Sequence, residues 1–157
     1  VPYCVMRGTA LSEGIGEILT PLPMPPQCQV LIAKPGISVS TKFVYENLHA
    51  NDLKPEQHPD IDGMIEAIKQ KDLYGIADRF GNVLETVTAK EYPDIEGIKD
   101  KMREYGALNA LMSGSGPTVF GIFEDKEKAV ECNRILRQDE KVKTAYVAEC
   151  CNGGFEA

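Results

Sequence analysis

Two spacings of apolar residues along the chain predict its secondary structure. Short apolar runs bounded by glycine, proline or charged residues predict six strands. They cover residues 3–7, 14–20, 27–33, 108–112, 118–123 and 142–149. Apolar residues three or four positions apart predict five helices. These cover residues 41–50, 61–68, 73–87 and 93–105, and a stretch after Asp125 whose inner face carries Ala129, Val130, Ile135 and Leu136.

From residue 27 onward, the predicted elements run strand, helices, strand, strand, helix, strand. This order is typical of a ferredoxin-like βαββαβ sandwich, an α+β fold in which an antiparallel sheet carries its helices on one face. The first crossover is enlarged to four helices. We expect one domain over residues 1–157. The strands within residues 1–20 are expected to pair with chain upstream of Val1, and residues 150–157 are expected to form a frayed tail.

Composition and charge narrow the possible classes of function. The first residues are apolar and do not start with methionine, which indicates a cut inside a longer protein. The formal net charge of −7 argues against nucleic acid and anionic membrane surfaces as partners. The five cysteines include no CxxC pair, so we expect reduced thiols in a cytoplasmic protein. The sequence shows neither a signal peptide nor an apolar run of membrane-spanning length.

The segment from Met112 to Thr118 (MSGSGPT) joins two predicted strands and is the first candidate for binding chemistry. Its glycines allow the backbone to approach a ligand and to direct N–H groups towards a phosphate. An ordinary hairpin loop uses the same residue types, so both interpretations stay open on spacing alone. The segment is neither a P-loop, because no GK[ST] follows, nor a GxGxxG motif.

Three further features have both a functional and a purely structural interpretation. The segment from Lys34 to Thr41 leads into a helix N-terminus, where unpaired N–H groups attract anions, or it is a simple turn capped by Ser40. Tyr45 falls opposite the apolar side of that helix. It is either a ring on which a base stacks or an ordinary surface residue. Glycines flank Ile15. This segment is either a turn whose backbone contacts a ligand or an ordinary turn between strands. No histidine or carboxylate stands out as a general base.

Taken together, three segments resemble a known family. They are VPYCVMRGTALSEGIGEILTPLP, VLIAKPGISVSTKFVYENL and LMSGSGPTVFGIF, and they span Val1 to the region of Glu149. They resemble the GHMP kinases, and among these the branch that phosphorylates the 2-hydroxyl of a cytidyl diphosphate sugar alcohol in the non-mevalonate route to isoprenoids. The resemblance implies a two-domain kinase that uses ATP with Mg²⁺. It also implies that the catalytic lysine and aspartate and the ATP loop belong to an N-terminal domain upstream of Val1, so that this chain alone holds no cofactor and is inactive.

The resemblance also implies roles for individual residues around the substrate. Thr41 matches a threonine near the methylerythritol hydroxyls, and Tyr45 matches an aromatic residue that stacks on the cytosine. The loop that shapes this pocket is matched by Pro35, Gly36 and Ser38.

Two further sites follow from the same resemblance. Ile15 matches a residue whose backbone lies close to the substrate, and the family's glycine-rich loop beside the phosphates is matched by Gly114, Ser115 and Gly116. Two alternatives stay open, namely another GHMP kinase, such as one for mevalonate, homoserine or galactose, and a stand-alone ferredoxin-like ligand-binding module. Loss of a neighbouring domain exposes apolar residues near the start of the chain, which predicts a dimer through the N-terminal strands.

Overall fold

The helices and strands are given by a computed structural model, which describes residues 2–150. The helices are α1 (Pro2–Met6), α2 (Thr41–Asn47), α3 (Ile61–Gln70), α4 (Leu73–Asp78), α5 (Glu85–Glu91), α6 (Asp94–Glu104) and α7 (Lys126–Leu136). The strands are β1 (Thr9–Glu13), β2 (Ile18–Leu22), β3 (Gln29–Pro35), β4 (Asn109–Met112), β5 (Val119–Phe123) and β6 (Val142–Glu149). The predicted tail falls almost wholly on residues 151–157, which lie outside the described residues.

The last four strands form one antiparallel sheet in the order β4-β5-β3-β6. This order confirms the ferredoxin-like topology and the α+β class. Because β3 and β5 run in opposite directions, Ala33 near the end of β3 lies opposite Val119 at the start of β5. The segment after β3 and the loop before β5 therefore lie at the same end of the sheet.

The sheet buries apolar side chains on both faces, because β5 is apolar at successive positions and neighbouring side chains of a strand point in opposite directions. On one face, α6 and α7 bury Ile95, Met102 and Leu136 completely. On the other face, α4 packs Ala77 against Ile122. The prediction that the helices occupy one face only is therefore wrong.

The N-terminal segment is a helix followed by a hairpin. Residues 3–7, predicted as a strand, belong largely to α1, whose last turn is closed by the Arg7 N–H donating to the Tyr3 carbonyl at 2.7 Å. Proline favours a helix start, because its missing N–H has no helical partner there in any case, and Pro2 begins α1. β1 and β2 pair with each other as a separate two-stranded sheet. The strand predicted over residues 14–20 is therefore wrong in its first half, since residues 14–17 form the turn of this hairpin. Pairing with chain upstream of Val1 stays a prediction.

The apolar stripe predicted as one helix over residues 73–87 is divided between two helices. α4 ends at Asp78, and α5 begins at Glu85. Between them, the side-chain oxygen of Asn82 accepts the N–H of Leu84 at 3.0 Å, which substitutes for a helical backbone bond. A local side-chain hydrogen bond thus overrides the apolar periodicity.

The ends of the other helices are largely as predicted. The Ser40 hydroxyl accepts the N–H of Phe43 and caps α2, although α2 ends at Asn47 rather than at residue 50. Asp125 caps α7 as predicted, but Val130 is half exposed, and Cys132 lies buried on the inner face instead. No helix within residues 2–150 has the length and apolar composition needed to cross a membrane.

Candidate functional site

Residues 113–117, called the glycine loop here, join β4 to β5 by a tight turn. The Ser113 N–H donates to the Thr118 carbonyl at 2.8 Å, and the Gly116 N–H donates to the Ser113 carbonyl at 3.0 Å. Gly114 and Gly116 have φ angles of 57° and 85°, a region that side chains other than glycine rarely adopt. The two glycines that the sequence singled out are therefore required by the backbone of this turn.

One side of the glycine loop is free to accept a ligand. Within residues 2–150, the N–H groups of Gly114 and Ser115 donate to no protein acceptor. A Cβ atom added to Gly114 meets no atom within 4 Å, so the space in front of this residue is open. Two adjacent N–H groups without a protein acceptor are suited to the oxygen atoms of a phosphate.

Thr41, at the start of α2, reaches the glycine loop. Its Oγ1 lies 2.9 Å from the Oγ of Ser115, and the two hydroxyls share a hydrogen bond. The sequence predicted both residues as site residues on separate segments. The antiparallel pairing of β3 with β5 brings the two segments together at one end of the sheet.

The other residues predicted for this site lie at the end of β3, on α2 or between the two. Pro35 is buried and ends β3, and the N–H of Gly36 donates to the Lys141 carbonyl at 2.9 Å. Ser38 is exposed. Tyr45 is 60% exposed on α2, so its ring is available to a ligand.

Ile15 lies apart from this group in its contacts. It occupies the turn of the β1–β2 hairpin with a side chain that is 98% exposed. Its N–H donates to the Glu17 carboxylate at 2.7 Å, so the amide has an acceptor within the hairpin itself. The structure therefore does not join Ile15 to the Thr41–Ser115 pair by any hydrogen bond among residues 2–150.

Sequence reasoning missed the residues that hold the glycine loop from behind. The side-chain amide of Asn82 donates to the carbonyls of Met112 and Gly114, at 2.9 and 2.8 Å. The hydroxyl of Thr88, which is fully buried, donates to the carbonyl of Ser115 at 3.2 Å. The only available signal was the presence of polar residues within the apolar stripe of residues 73–87 and directly after it.

A buried ion pair supports the strand that leads into the glycine loop. One oxygen of the Glu85 carboxylate accepts the N–H of Met112 at 2.6 Å, and the other accepts from the Lys99 ammonium at 2.8 Å. The Lys99 side chain is only 6% exposed and also donates to Glu96 at 2.8 Å. Nothing in the one-dimensional pattern indicated this pair, because its members lie on different helices.

The fold and the glycine loop together define the class of protein. Residues 64–141 match the family model for the C-terminal domain, described as "GHMP kinases C terminal". This chain contains a GHMP kinase C-terminal domain.

Comparison with individual proteins gives a more specific match than the family model. The chain is 59% identical to 4-diphosphocytidyl-2-C-methyl-D-erythritol kinase of Lachnospira eligens, over 95% of this chain and 51% of that protein. It is 61% identical to the kinase of the same name from Lachnoclostridium phytofermentans, over 83% of this chain and 44% of that protein. A crystal structure of 4-(cytidine 5'-diphospho)-2C-methyl-D-erythritol kinase is 28% identical, with a TM-score of 0.72, over 92% of this chain and 50% of that one. The chain thus spans about half the length of the relatives it matches.

Proposed function

We propose that this chain is the substrate-binding C-terminal half of an ATP-dependent kinase that phosphorylates the 2-hydroxyl of 4-diphosphocytidyl-2-C-methyl-D-erythritol, in the non-mevalonate route to isoprenoids. The observation that carries the proposal is the hydrogen bond between Thr41 and Ser115. It joins a hydroxyl at the start of α2 to a loop with unpaired N–H groups. Relatives with this substrate in their name match the chain on both sides of the pair.

The glycine loop supplies the phosphate contacts in this proposal. The N–H groups of Gly114 and Ser115 donate to phosphate oxygens, and no side chain needs to move to admit them because the space in front of Gly114 is open. Phosphoryl transfer depends largely on positioning and on stabilising charge on these oxygens. The loop therefore contributes orientation and charge stabilisation rather than proton transfer.

Thr41 and Tyr45 hold the acceptor substrate. Thr41 offers a hydroxyl to the methylerythritol hydroxyls, and Tyr45 presents an exposed ring for stacking on cytosine. Pro35, Gly36 and Ser38 form the wall of this pocket, and Ile15 approaches the substrate through its backbone. The methylerythritol hydroxyls and the cytosine of the substrate would then both lie within reach of the glycine loop.

In this proposal, the described residues contact ATP only at its phosphates, through the glycine loop. Residues 2–150 contain no cluster of three His, Cys, Asp or Glu side chains that could hold a metal ion. Mg²⁺ therefore enters this proposal together with the ATP phosphates and with groups in the part of the enzyme that this chain does not span. The catalytic lysine and aspartate belong to that same part, which we propose as an N-terminal domain packed on this one.

Steady-state kinetics of the complete kinase that contains this chain tests the proposal. Tyr45→Ala is expected to raise the KM for the cytidyl substrate about fivefold or more, since stacking on a base contributes about 1–3 kcal/mol. The KM for ATP is expected to stay unchanged. Tyr146→Ala is the matched control, because Tyr146 is a tyrosine of similar exposure (51%) on β6.

Two results would overturn the proposal. The first is an equal KM for the cytidyl substrate in the Tyr45→Ala and Tyr146→Ala enzymes. The second is efficient turnover of homoserine, mevalonate or galactose by the wild-type enzyme in place of the cytidyl substrate. The 157-residue chain alone, given ATP and Mg²⁺, is expected to transfer no phosphate.

We place the enzyme in the cytoplasm, where thiols stay reduced. We also propose that the isolated chain pairs with a second copy through its N-terminal segment, where Tyr3, Val5 and Ile18 are exposed. Sedimentation at increasing concentration measures the pairing, and a monomer at every concentration would exclude it.

A further inference from the structure

We propose that Asn82, assisted by Thr88, is a positioning residue that keeps the glycine loop in its phosphate-binding conformation. This inference rests on the proposed function, because it assigns the loop a phosphate ligand. Neither residue faces the open side of the loop. Their side chains instead donate hydrogen bonds to backbone carbonyls of the loop and of the strand before it.

Asn82 links the end of β4 to the first part of the glycine loop. Its Nδ2 donates both to Met112, the last residue of β4, and to Gly114, the first glycine of the loop. Its Oδ1 accepts the N–H of Leu84 at 3.0 Å. The orientation of the side-chain amide is thereby settled, since the nitrogen meets two acceptors and the oxygen meets a donor.

The geometry of the peptide group links the hydrogen bond made by Asn82 to the direction of the Ser115 N–H. In a trans peptide, the C=O and the N–H point in nearly opposite directions. The carbonyl of Gly114 and the N–H of Ser115 belong to the same peptide group. When Asn82 holds that carbonyl, the Ser115 N–H is directed away from Asn82, and among residues 2–150 it donates to no protein acceptor.

Thr88 acts in the same way one peptide further along. It holds the carbonyl of Ser115, while the N–H of that peptide group, on Gly116, closes the turn onto Ser113. Together, Asn82 and Thr88 fix two consecutive peptide groups. The glycines alone cannot do this, because glycine permits many backbone conformations.

A charge-changing isosteric variant isolates the role of Asn82. Asn82→Asp keeps an oxygen for the Leu84 N–H but places an oxygen, which repels, against the carbonyls of Met112 and Gly114. Asn109→Asp is the matched control. Asn109 likewise donates through Nδ2 to a carbonyl, that of Ala77, and accepts a backbone N–H. Its oxygen also accepts from Arg103 at 3.2 Å, and its side chain has no hydrogen bond to the loop.

The first measurement is ¹⁵N relaxation of the 157-residue chain without ligand. The order parameter of the Ser115 amide is expected to be about 0.85 in the wild type and below about 0.6 in Asn82→Asp. Asn109→Asp is expected to match the wild type at this amide. An ordered Ser115 amide in Asn82→Asp would overturn the positioning role, whatever the ligand.

The second measurement is catalysis by the complete kinase. Asn82→Asp is expected to lower kcat about tenfold or more, since a misplaced group costs up to about 100-fold, while the KM for the cytidyl substrate changes little. Thr88→Val, which lacks the hydroxyl, is expected to lower kcat in the same way, and Thr88→Ser is expected to restore it. Normal kcat in both Asn82→Asp and Thr88→Val would overturn the inference. Pyrophosphate added to the wild-type chain is expected to shift the amide resonances of Gly114 and Ser115, and unchanged resonances would overturn the phosphate role in the proposed function.

Discussion

The Oγ1 of Thr41 and the Oγ of Ser115 lie 2.9 Å apart, although 74 positions separate the two residues in the sequence. Their contact depends on the pairing of β3 with β5, which aligns the end of one strand with the start of the other. The segment that begins α2 and the glycine loop thereby lie in contact at one end of the sheet.

A double-mutant cycle measures how strongly this contact joins the two segments. Thr41→Val and Ser115→Ala each remove one hydroxyl, and we expect a coupling free energy of unfolding of about 0.5–1 kcal/mol, the usual net value of one hydrogen bond. Urea denaturation of the wild type, the two single variants and the double variant provides the four free energies. Strictly additive effects would show that the hydroxyls do not interact in solution.

The two glycines of the loop are expected to differ in their tolerance of alanine. At Gly116, an added Cβ would lie 2.6 Å from the sulfur of Met112, which is buried, and φ is positive. At Gly114, only the positive φ opposes alanine. We expect Gly114→Ala to destabilise the fold by about 1–2 kcal/mol, and Gly116→Ala to add a further 1–3 kcal/mol or so from overpacking. Thermal or urea unfolding checks this order, and equal losses would contradict it.

The buried ion pair below the glycine loop is expected to matter far more than an exposed one. Lys99→Met retains the apolar part of the side chain but leaves the Glu85 carboxylate without its cation, and breaking a buried pair costs about 3–5 kcal/mol. Lys126→Met is the control, since the Lys126–Glu149 pair is well exposed and such pairs contribute little. Urea denaturation of both variants provides the comparison. A Lys99→Met protein as stable as the control would contradict the prediction.

The raised pKa values of two buried thiols predict that the folded protein loses stability at alkaline pH. Burial, and then the neighbouring Cys150, raise the pKa of Cys28 to about 12, and burial raises the pKa of Cys132 to about 11 despite the nearby Lys101. Both values exceed the pKa of 9.0 of an unperturbed thiol, so the unfolded chain loses these protons first. The stabilisation is complete below pH 9 and is lost as the pH rises towards 11 and 12.

Urea denaturation between pH 8 and pH 11 or so measures this loss. Cys132→Ala provides the comparison, since it removes one of the two groups, and its stability is expected to fall less steeply with pH. An identical pH dependence of the wild type and the variant would contradict the assignment. Cys4, which is exposed, offers an internal reference for the reactivity of an accessible thiol in this chain.

The sequence predicted the fold well where apolar residues form short, well-bounded runs. The four strands of the main sheet and the helix caps at Ser40 and Asp125 were correct in kind and nearly correct in extent. It failed at residues 3–7, where Pro2 starts a helix in an apolar run, and over residues 73–87, where Asn82 interrupts an apolar stripe. In both places a single residue with a local backbone effect outweighed the pattern around it.

The sequence by itself was enough to select the candidate binding residues. Glycine at positions 114 and 116, Ser115, Thr41 and Tyr45 could be selected from local spacing and family resemblance, because their proposed roles depend on residue type. The tertiary structure alone decided how these residues are held. Asn82 and Thr88 donate to carbonyls of the glycine loop that lie 32 and 27 positions away. Glu85, paired with Lys99 of another helix, accepts the N–H of Met112 at the end of β4, 27 positions away. Such contacts form only when strands and helices distant in sequence pack together, so no period or motif along the chain records them.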